Sequence, residues 1–202
     1  MKREFKGSAM LNPVPLALIT SKDLDTDKTN VFTVGWIGTA CTKPPMLSIA
    51  IRPERYSYEL IKKSGELVVN LPSDNLVKAV DFCGVRSGRE IDKIENFNLT
   101  LKGSTKISTP YIDECPVALE CSVRDIIPLG THDLFLVDVL CSHVNENIID
   151  EKGKIHFENA NLLHYCHGEY YPMVNKSIGS FGYSVRKKKK SKNKPNKKTN
   201  KK

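Results

Sequence analysis

Short runs of β-branched and aliphatic residues, punctuated by Pro, Gly, Asn and Asp, set the rhythm of this chain. They predict strands over Val14–Thr20, Val31–Ile37, Met46–Arg52, Glu66–Leu71, Val117–Ile127 and His132–Val144. Alternation over Val117–Val123 puts Val117, Leu119, Cys121 and Val123 on one face and Glu120, Ser122 and Arg124 on the other, as in a half-exposed strand. From Leu134 to Cys141 both faces are mostly apolar, which predicts a strand covered on both sides.

Helical signals are few. Tyr56–Ser64 follows Pro53 and stops at Gly65, a residue suited to the left-handed position after a helix. Asp74 can cap a second helix, with Leu76, Val77 and Val80 on one face and an end near Gly84. Ser87-Gly88-Arg89-Glu90 has the form of a capping box opening a third. Strands that return at short spacing leave little room for crossover helices, so the pattern predicts a mainly β protein. Its expected form is an antiparallel sheet closed into a barrel with short peripheral helices.

Composition changes this picture in one respect. The formal charge of +8 over 202 residues points at first to an anionic partner. Arg186 to Lys202, however, holds eleven Lys or Arg and no acid, leaving 20 basic against 23 acidic groups in residues 1–185. The chain therefore divides into a mildly acidic domain, 1–185, and a Lys-rich tail, 186–202, that lacks the apolar residues needed to order it. The tail reads as a solubilising extension or as a tether to nucleic acid or anionic lipid, and such contacts are expected nowhere else. Six cysteines stand apart with no Cys-x-x-Cys, so neither a zinc site nor a dithiol motif is indicated. His164, Cys166 and His167 match no common ligand spacing. The apolar stretch Ala9–Ile19 is interrupted by Asn12, Pro13 and Pro15, and Asp138 breaks the run Leu134–Cys141. These features predict a cytoplasmic protein without a membrane span.

Two basic, hydroxyl-bearing turns stand out: Ile51-Arg52-Pro53-Glu54-Arg55-Tyr56-Ser57-Tyr58 and Cys83-Gly84-Val85-Arg86-Ser87-Gly88-Arg89-Glu90-Ile91-Asp92-Lys93. A phosphate needs several converging donors, and a helix start adds free N–H groups and the positive end of a dipole. Tyr56 and Ser57 lie at such a start, with Arg52 and Arg55 beside them and Ser87, Arg89 and Lys93 on the other turn. Either turn alone would fit a corner with solvated arginines; the pair predicts a phosphate cradle. Trp36, the only tryptophan, fits a core position as well as a site. Cys41 and Cys83 read as packing residues.

Four blocks in order, Asn30–Trp36, Pro44–Ser57, Gly65–Pro72 and Cys83–Lys93, resemble the flavin reductase-like proteins, especially the flavoredoxin branch, and the likeness spans most of residues 8–183. That resemblance implies an FMN-binding split barrel of antiparallel Greek-key type, as a homodimer with flavin sites near the subunit interface. It implies that Arg52, Arg55, Ser57 and Lys93 meet the FMN phosphate, and that Asn30, Trp36, Thr39 and Ala40 lie along the isoalloxazine. His132, at the start of a buried strand, matches a flavin-contacting histidine of the flavoredoxin-like proteins, and Tyr165 could offer an aromatic wall. Each also fits an ordinary strand position.

FMN carries the redox chemistry, so no catalytic side chain and no metal is called for. The function implied is electron transfer through non-covalently bound FMN, as an NAD(P)H-dependent flavin reductase or as a flavoredoxin-type carrier fed by a ferredoxin-like donor. The alternative is a non-catalytic split-barrel binding module tethered to nucleic acid by its basic tail.

Overall fold

The computed structural model describes residues 1–186. Its elements are β1 (Val14–Pro15), β2 (Ala17–Lys22), β3 (Thr29–Val34), β4 (Ile37–Thr42), β5 (Pro45–Ile51), α1 (Tyr56–Ser64), β6 (Glu66–Leu71) and α2 (Val77–Val85). There follow α3 (Lys93–Asn96), β7 (Leu101–Lys102), β8 (Tyr111–Ile112), β9 (Val117–Pro128), β10 (Asp133–Val144), β11 (Leu163–Cys166) and β12 (Glu169–Pro172). The Lys-rich tail beyond Arg186 lies outside the described residues. Among those described, no helix is long and apolar enough to cross a membrane.

Seven strands form one antiparallel sheet in the order β3-β2-β6-β9-β10-β5-β4. Its two edge strands, β3 and β4, are joined by Gly35 and Trp36 alone. Three peptide steps span at most about 11 Å, so the two edges of the sheet must meet and the sheet curls into a barrel. The seam stays split: Ala50 N–H donates to the Trp36 carbonyl at 2.9 Å, while β3 and β4 each pair only on their other side among the described residues.

The barrel interior is filled by Ala17, Ile19, Phe32, Ile49, Ile51, Leu67, Val69, Cys121, Phe135 and Val137, with Tyr58 and Ile61 of α1 packed against them. Each fully buried side chain of the size of Phe135 or Ile61 contributes about 1.5–3 kcal/mol. The opposite faces of β2 and β3 present Leu18 and Val31, with Leu16 just before β2, to Val80 and Cys83 of α2, Ile112 of β8 and Leu163 of β11. This second cluster explains the unbroken apolar run at the start of β2, which is buried on both faces.

The expected run Val31–Ile37 divides at Gly35–Trp36, and β4 was not foreseen, because Ile37-Gly-Thr-Ala-Cys-Thr42 is an exposed edge strand of small residues. Helix α1 keeps its expected bounds and ends on Gly65 at φ 70°, whose N–H reaches the Ile61 carbonyl at 2.8 Å. The second helix starts as a 3₁₀ turn over Asp74–Leu76 before α2, and Ser73, not Asp74, stands at its cap position. Ser87–Glu90 does not open a helix. Its hydroxyl accepts from Arg89 N–H at 3.2 Å to form a turn, and α3 begins later, capped by Asp92 Oδ1 accepting from Ile94 and Glu95 N–H at 3.0 and 3.1 Å.

Two burial expectations are also corrected. Glu120 is fully buried because the segment around Thr105 folds over the outer face of β9. On β10, Phe135 and Val137 are buried but Leu140 is 44% exposed, so only one face is fully covered.

Candidate functional site

The split seam, the start of α1 and the loop between α2 and α3 enclose a cavity of about 510 Å³. Its charged lining is Arg52, Arg55, Arg86, Arg89 and Lys93 against Glu54 and Glu90, a local excess of cations on an acidic domain. A neighbouring cavity of about 260 Å³ follows the seam past Gly35, Trp36, Ala50 and His132, and shares Phe32, Arg52 and Arg55 with the first.

Lys93 is the central feature. It is 3% exposed, and its Nζ reaches only the carbonyls of Arg86 at 3.2 Å and Cys83 at 3.4 Å. Among the described residues no carboxylate pairs with it. Burial pushes its pKa down, and the nearby Arg55 guanidinium lowers it further. An ammonium withdrawn from water without an acid partner is costly unless an anion joins it. The Cys83 thiol beside it is pushed up to about 11 by burial, so it supplies no negative charge near neutral pH.

The start of α1 offers the complementary donors. Arg55 occupies the cap position with extended backbone, and no side chain caps the helix. The first N–H groups of α1, at Tyr56 and Ser57, have no acceptor within the helix. Ser57 is 1% exposed and its Oγ accepts from Asn30 Nδ2 at 2.5 Å. Arg55 Nη1 donates to the Gly84 carbonyl at 3.1 Å and Arg89 Nη1 to the Glu54 carbonyl at 3.5 Å, so the two basic turns fasten each other. The Arg89 guanidinium also lies 5.0 Å from the centre of the Tyr56 ring. Below, Tyr58 Oη donates to Asp133 at 2.6 Å and ties α1 to the first residue of β10. That bond, with burial, pushes the Tyr58 hydroxyl up to about 12.

The structure gathers Asn30, Arg52, Arg55, Ser57 and Lys93 around one cavity, and Trp36 and His132 around the adjoining one. Trp36 is 44% exposed, which removes the core alternative for it. His132 accepts or donates at Nδ1 with Thr131 Oγ1, 3.0 Å away. Thr39 and Ala40 are not brought to these cavities; they lie exposed on β4. Tyr165 is also elsewhere, packed edge-on against Tyr170 in the cluster behind β2 and α2. Phe32, Arg86 and Gly88 also line the site; Arg86 and Gly88 belong to the second basic turn, where Gly88 is a small residue between two donors at a place where backbone must come close, whereas nothing in the sequence marks Phe32.

Glu120, Cys141 and His143 bring one possible ligand atom each within 4.8 Å of the others. Both Glu120 oxygens are already engaged: Oε1 accepts from Thr105 N–H at 2.7 Å and meets His143 Nε2 at 2.5 Å, and Oε2 accepts from Lys106 N–H at 2.7 Å. This cluster anchors the segment over β9.

A split barrel with a basic, partly enclosed cavity at its seam defines the class of protein. The flavin reductase like domain model matches residues 10–173, and the chain belongs to that family. A protein of Archaeoglobus fulgidus is 35% identical over 161 residues, covering 80% of this chain and 88% of its own. Flavoredoxin of Desulfovibrio vulgaris superposes with a TM-score of 0.84 at 25% identity, over 91% of this chain and all of that one. The FMN-binding protein of Thermus thermophilus shares the fold with a TM-score of 0.75 at 21% identity, over 89% of this chain and all of its own.

Proposed function

We propose that this chain is a flavoprotein that holds FMN without a covalent bond and passes electrons through it. The observation that carries the reading is Lys93, a buried ammonium with only carbonyl partners, facing a helix start with no cap across a basic cavity. In this reading Lys93, Ser57, Arg55 and Arg52 hold the phosphate, while Asn30, Trp36 and His132 border the ring along the seam. Family membership and the likeness to flavoredoxin support the same assignment.

Bound flavin would supply reversible one- and two-electron chemistry. The protein's part is to bind, orient and shield. The arginines at the cavity mouth neutralise the phosphate, the Asn30–Ser57 pair fixes the hydroxyl against the helix start, and the half-exposed Trp36 offers an indole face at the open end of the seam. That open end is where an electron donor, NAD(P)H or a ferredoxin-like protein, would approach. The outer edge of β4, with Thr39 and Ala40 exposed and Trp36 beside it, supports a homodimer in which a second copy covers this edge. On this account Thr39 and Ala40 belong to the subunit interface.

The reading is tested by removing flavin and titrating with FMN and riboflavin, then reducing the loaded protein anaerobically with NADH, NADPH and reduced ferredoxin side by side. FMN binding with reduction by at least one donor supports it. Failure of FMN to bind or to raise the melting temperature contradicts it.

A further inference from the structure

After β12 the chain leaves the barrel and carries apolar side chains that the protein does not cover. The last backbone bond to the body is Met173 N–H to the Leu162 carbonyl at 2.8 Å. Among the described residues, the hydrogen bonds of 174–186 stay within that segment, such as Ser177 Oγ to the Gly179 carbonyl at 3.0 Å and Tyr183 N–H to the Ser180 carbonyl at 2.9 Å. Yet Val174, Ile178, Phe181, Tyr183 and Val185 are all exposed, Ile178 to 98% and Phe181 entirely. Apolar side chains gathered in this way on a surface mark a place where something else binds.

The charge around them has one sign. No Asp or Glu follows Glu169, whereas Lys176, Arg186 and the ten lysines from Lys187 to Lys202 make twelve cations. Residues 1–169 hold the other 19 basic groups against all 23 acids, so the segment is opposite in sign to the body that carries it. An anionic surface would attract this end of the molecule and repel the rest.

The order of the two features selects the partner. A phosphate backbone uses cations and has no use for the aliphatic side chains of Val174, Ile178 and Val185. Two copies meeting through these segments would bring their lysines together. A lipid surface takes both kinds of side chain, the apolar ones at the boundary of headgroups and acyl chains and the lysines among the headgroup phosphates.

We propose that residues 174–202 are a membrane-surface anchor that seats the protein on anionic phospholipid, with Ile178 and Phe181 as the inserted side chains and the lysines as the electrostatic half. Neither half suffices alone, since reversible binding of this kind becomes firm only when two weak signals combine. The proposal is independent of what the basic cavity holds.

The test is co-sedimentation of the full-length protein with vesicles of phosphatidylcholine alone and of phosphatidylcholine mixed with phosphatidylserine. It is run on the natural chain, on a chain lacking residues 187–202 and on the double variant Ile178→Ser, Phe181→Ser. Each cation near an anionic surface contributes about fivefold, so the natural chain should prefer the mixed vesicles by at least about tenfold and the truncated chain should lose that preference. The double variant, which keeps every lysine, should bind the mixed vesicles at least about tenfold more weakly than the natural chain. In Phe181→Trp, emission should shift to the blue with mixed vesicles, a sign of insertion that surface attraction alone does not give. The altered positions are exposed, so melting temperature and flavin content should stay as in the natural chain. Absence of binding to the mixed vesicles, or equal binding by the double variant, overturns the proposal. So does binding of a duplex oligonucleotide in place of vesicles, which would assign the cations to nucleic acid, or a change of the double variant from dimer to monomer without lipid, which would assign Ile178 and Phe181 to a second copy.

Discussion

Replacing Lys93 by Met keeps the stem of the side chain and removes only the ammonium, so it separates the cost of that charge from its use. In the flavin-free protein the charge is a burden. It is 3% exposed, it is served by two carbonyl bonds of 3.2 and 3.4 Å, and burial lowers its pKa. Exchanging such a buried ion for an apolar group of similar volume is commonly neutral or stabilising by about 1–4 kcal/mol; the lower half of that range is expected here, because two carbonyls lose their donor. A gain of 1 kcal/mol corresponds to a rise of about 2–4 °C in melting temperature for a domain of this size. The pH dependence has a defined sign. Because the folded pKa lies below the unfolded value near 10.5, the unfolded chain binds the extra proton between the two, and this group's contribution rises with pH across that window. Lys93→Met removes that rise.

With FMN the sign reverses. A hydrogen bond to a charged partner is worth about 1.5–3 kcal/mol, so losing the ammonium should weaken FMN by roughly 10- to 150-fold. Riboflavin has no phosphate and should bind the variant and the natural chain within about twofold of each other. The assay pairs thermal unfolding of the flavin-free proteins with titrations of both flavins at fixed ionic strength. Equal loss for the two ligands would refute the assignment of Lys93 to the phosphate. Destabilisation of the flavin-free variant by more than about 1 kcal/mol would show that the ammonium is structural.

Three further perturbations probe separate parts of the account. Trp36→Ala should leave flavin-free stability within about 0.5 kcal/mol, since the ring is 44% exposed, yet weaken FMN and riboflavin alike, as titration of both flavins would show. Glu120→Gln should cost about 1–3 kcal/mol in a denaturant melt without changing FMN affinity, because the carboxylate anchors Thr105 and Lys106, none of which lines the site's cavities. Burial pushes the Glu120 pKa up, but bonds from His143 and the Thr105 and Lys106 N–H groups outweigh it and hold it below 4.5. Its stabilisation is therefore complete above that value and is lost as pH falls through the folded pKa, a dependence absent from the Gln variant. Deleting residues 187–202 should leave flavin content per chain unchanged; a lower content in the truncated protein would tie the Lys-rich tail to the site.

Much of the barrel was legible because its strands obey local rules. Glu66–Leu71 and Tyr56–Ser64 have their expected bounds, the first as a short apolar run and the second fixed by Gly65. What escaped depended on contacts distant in sequence. Glu120 reads as an outward residue until the chain around Thr105 folds over it, and β4 has no strong strand signal because its pairing with β5, not its own side chains, makes it a strand. At the site, the two basic turns announced themselves by charge and hydroxyl content, whereas the close approach of Gly88 to Asn30 did not. It arises only when β3 and the loop after α2 are brought together, and no local pattern marks a glycine as close to one particular asparagine. Thr39 and Ala40, placed by the resemblance along the segment from Asn30 to Cys41, and Tyr165, placed by a separate match, lie outside the cavities, since a likeness of segments fixes the strand more firmly than the facing of each side chain.

The most direct test of the central claim is to purify the full-length protein, denature it and identify by chromatography any flavin released. The account predicts FMN, approaching one per chain after loading, together with a higher melting temperature for the loaded protein than for the stripped one. Absence of flavin, with no change in melting temperature when FMN is added, would contradict it.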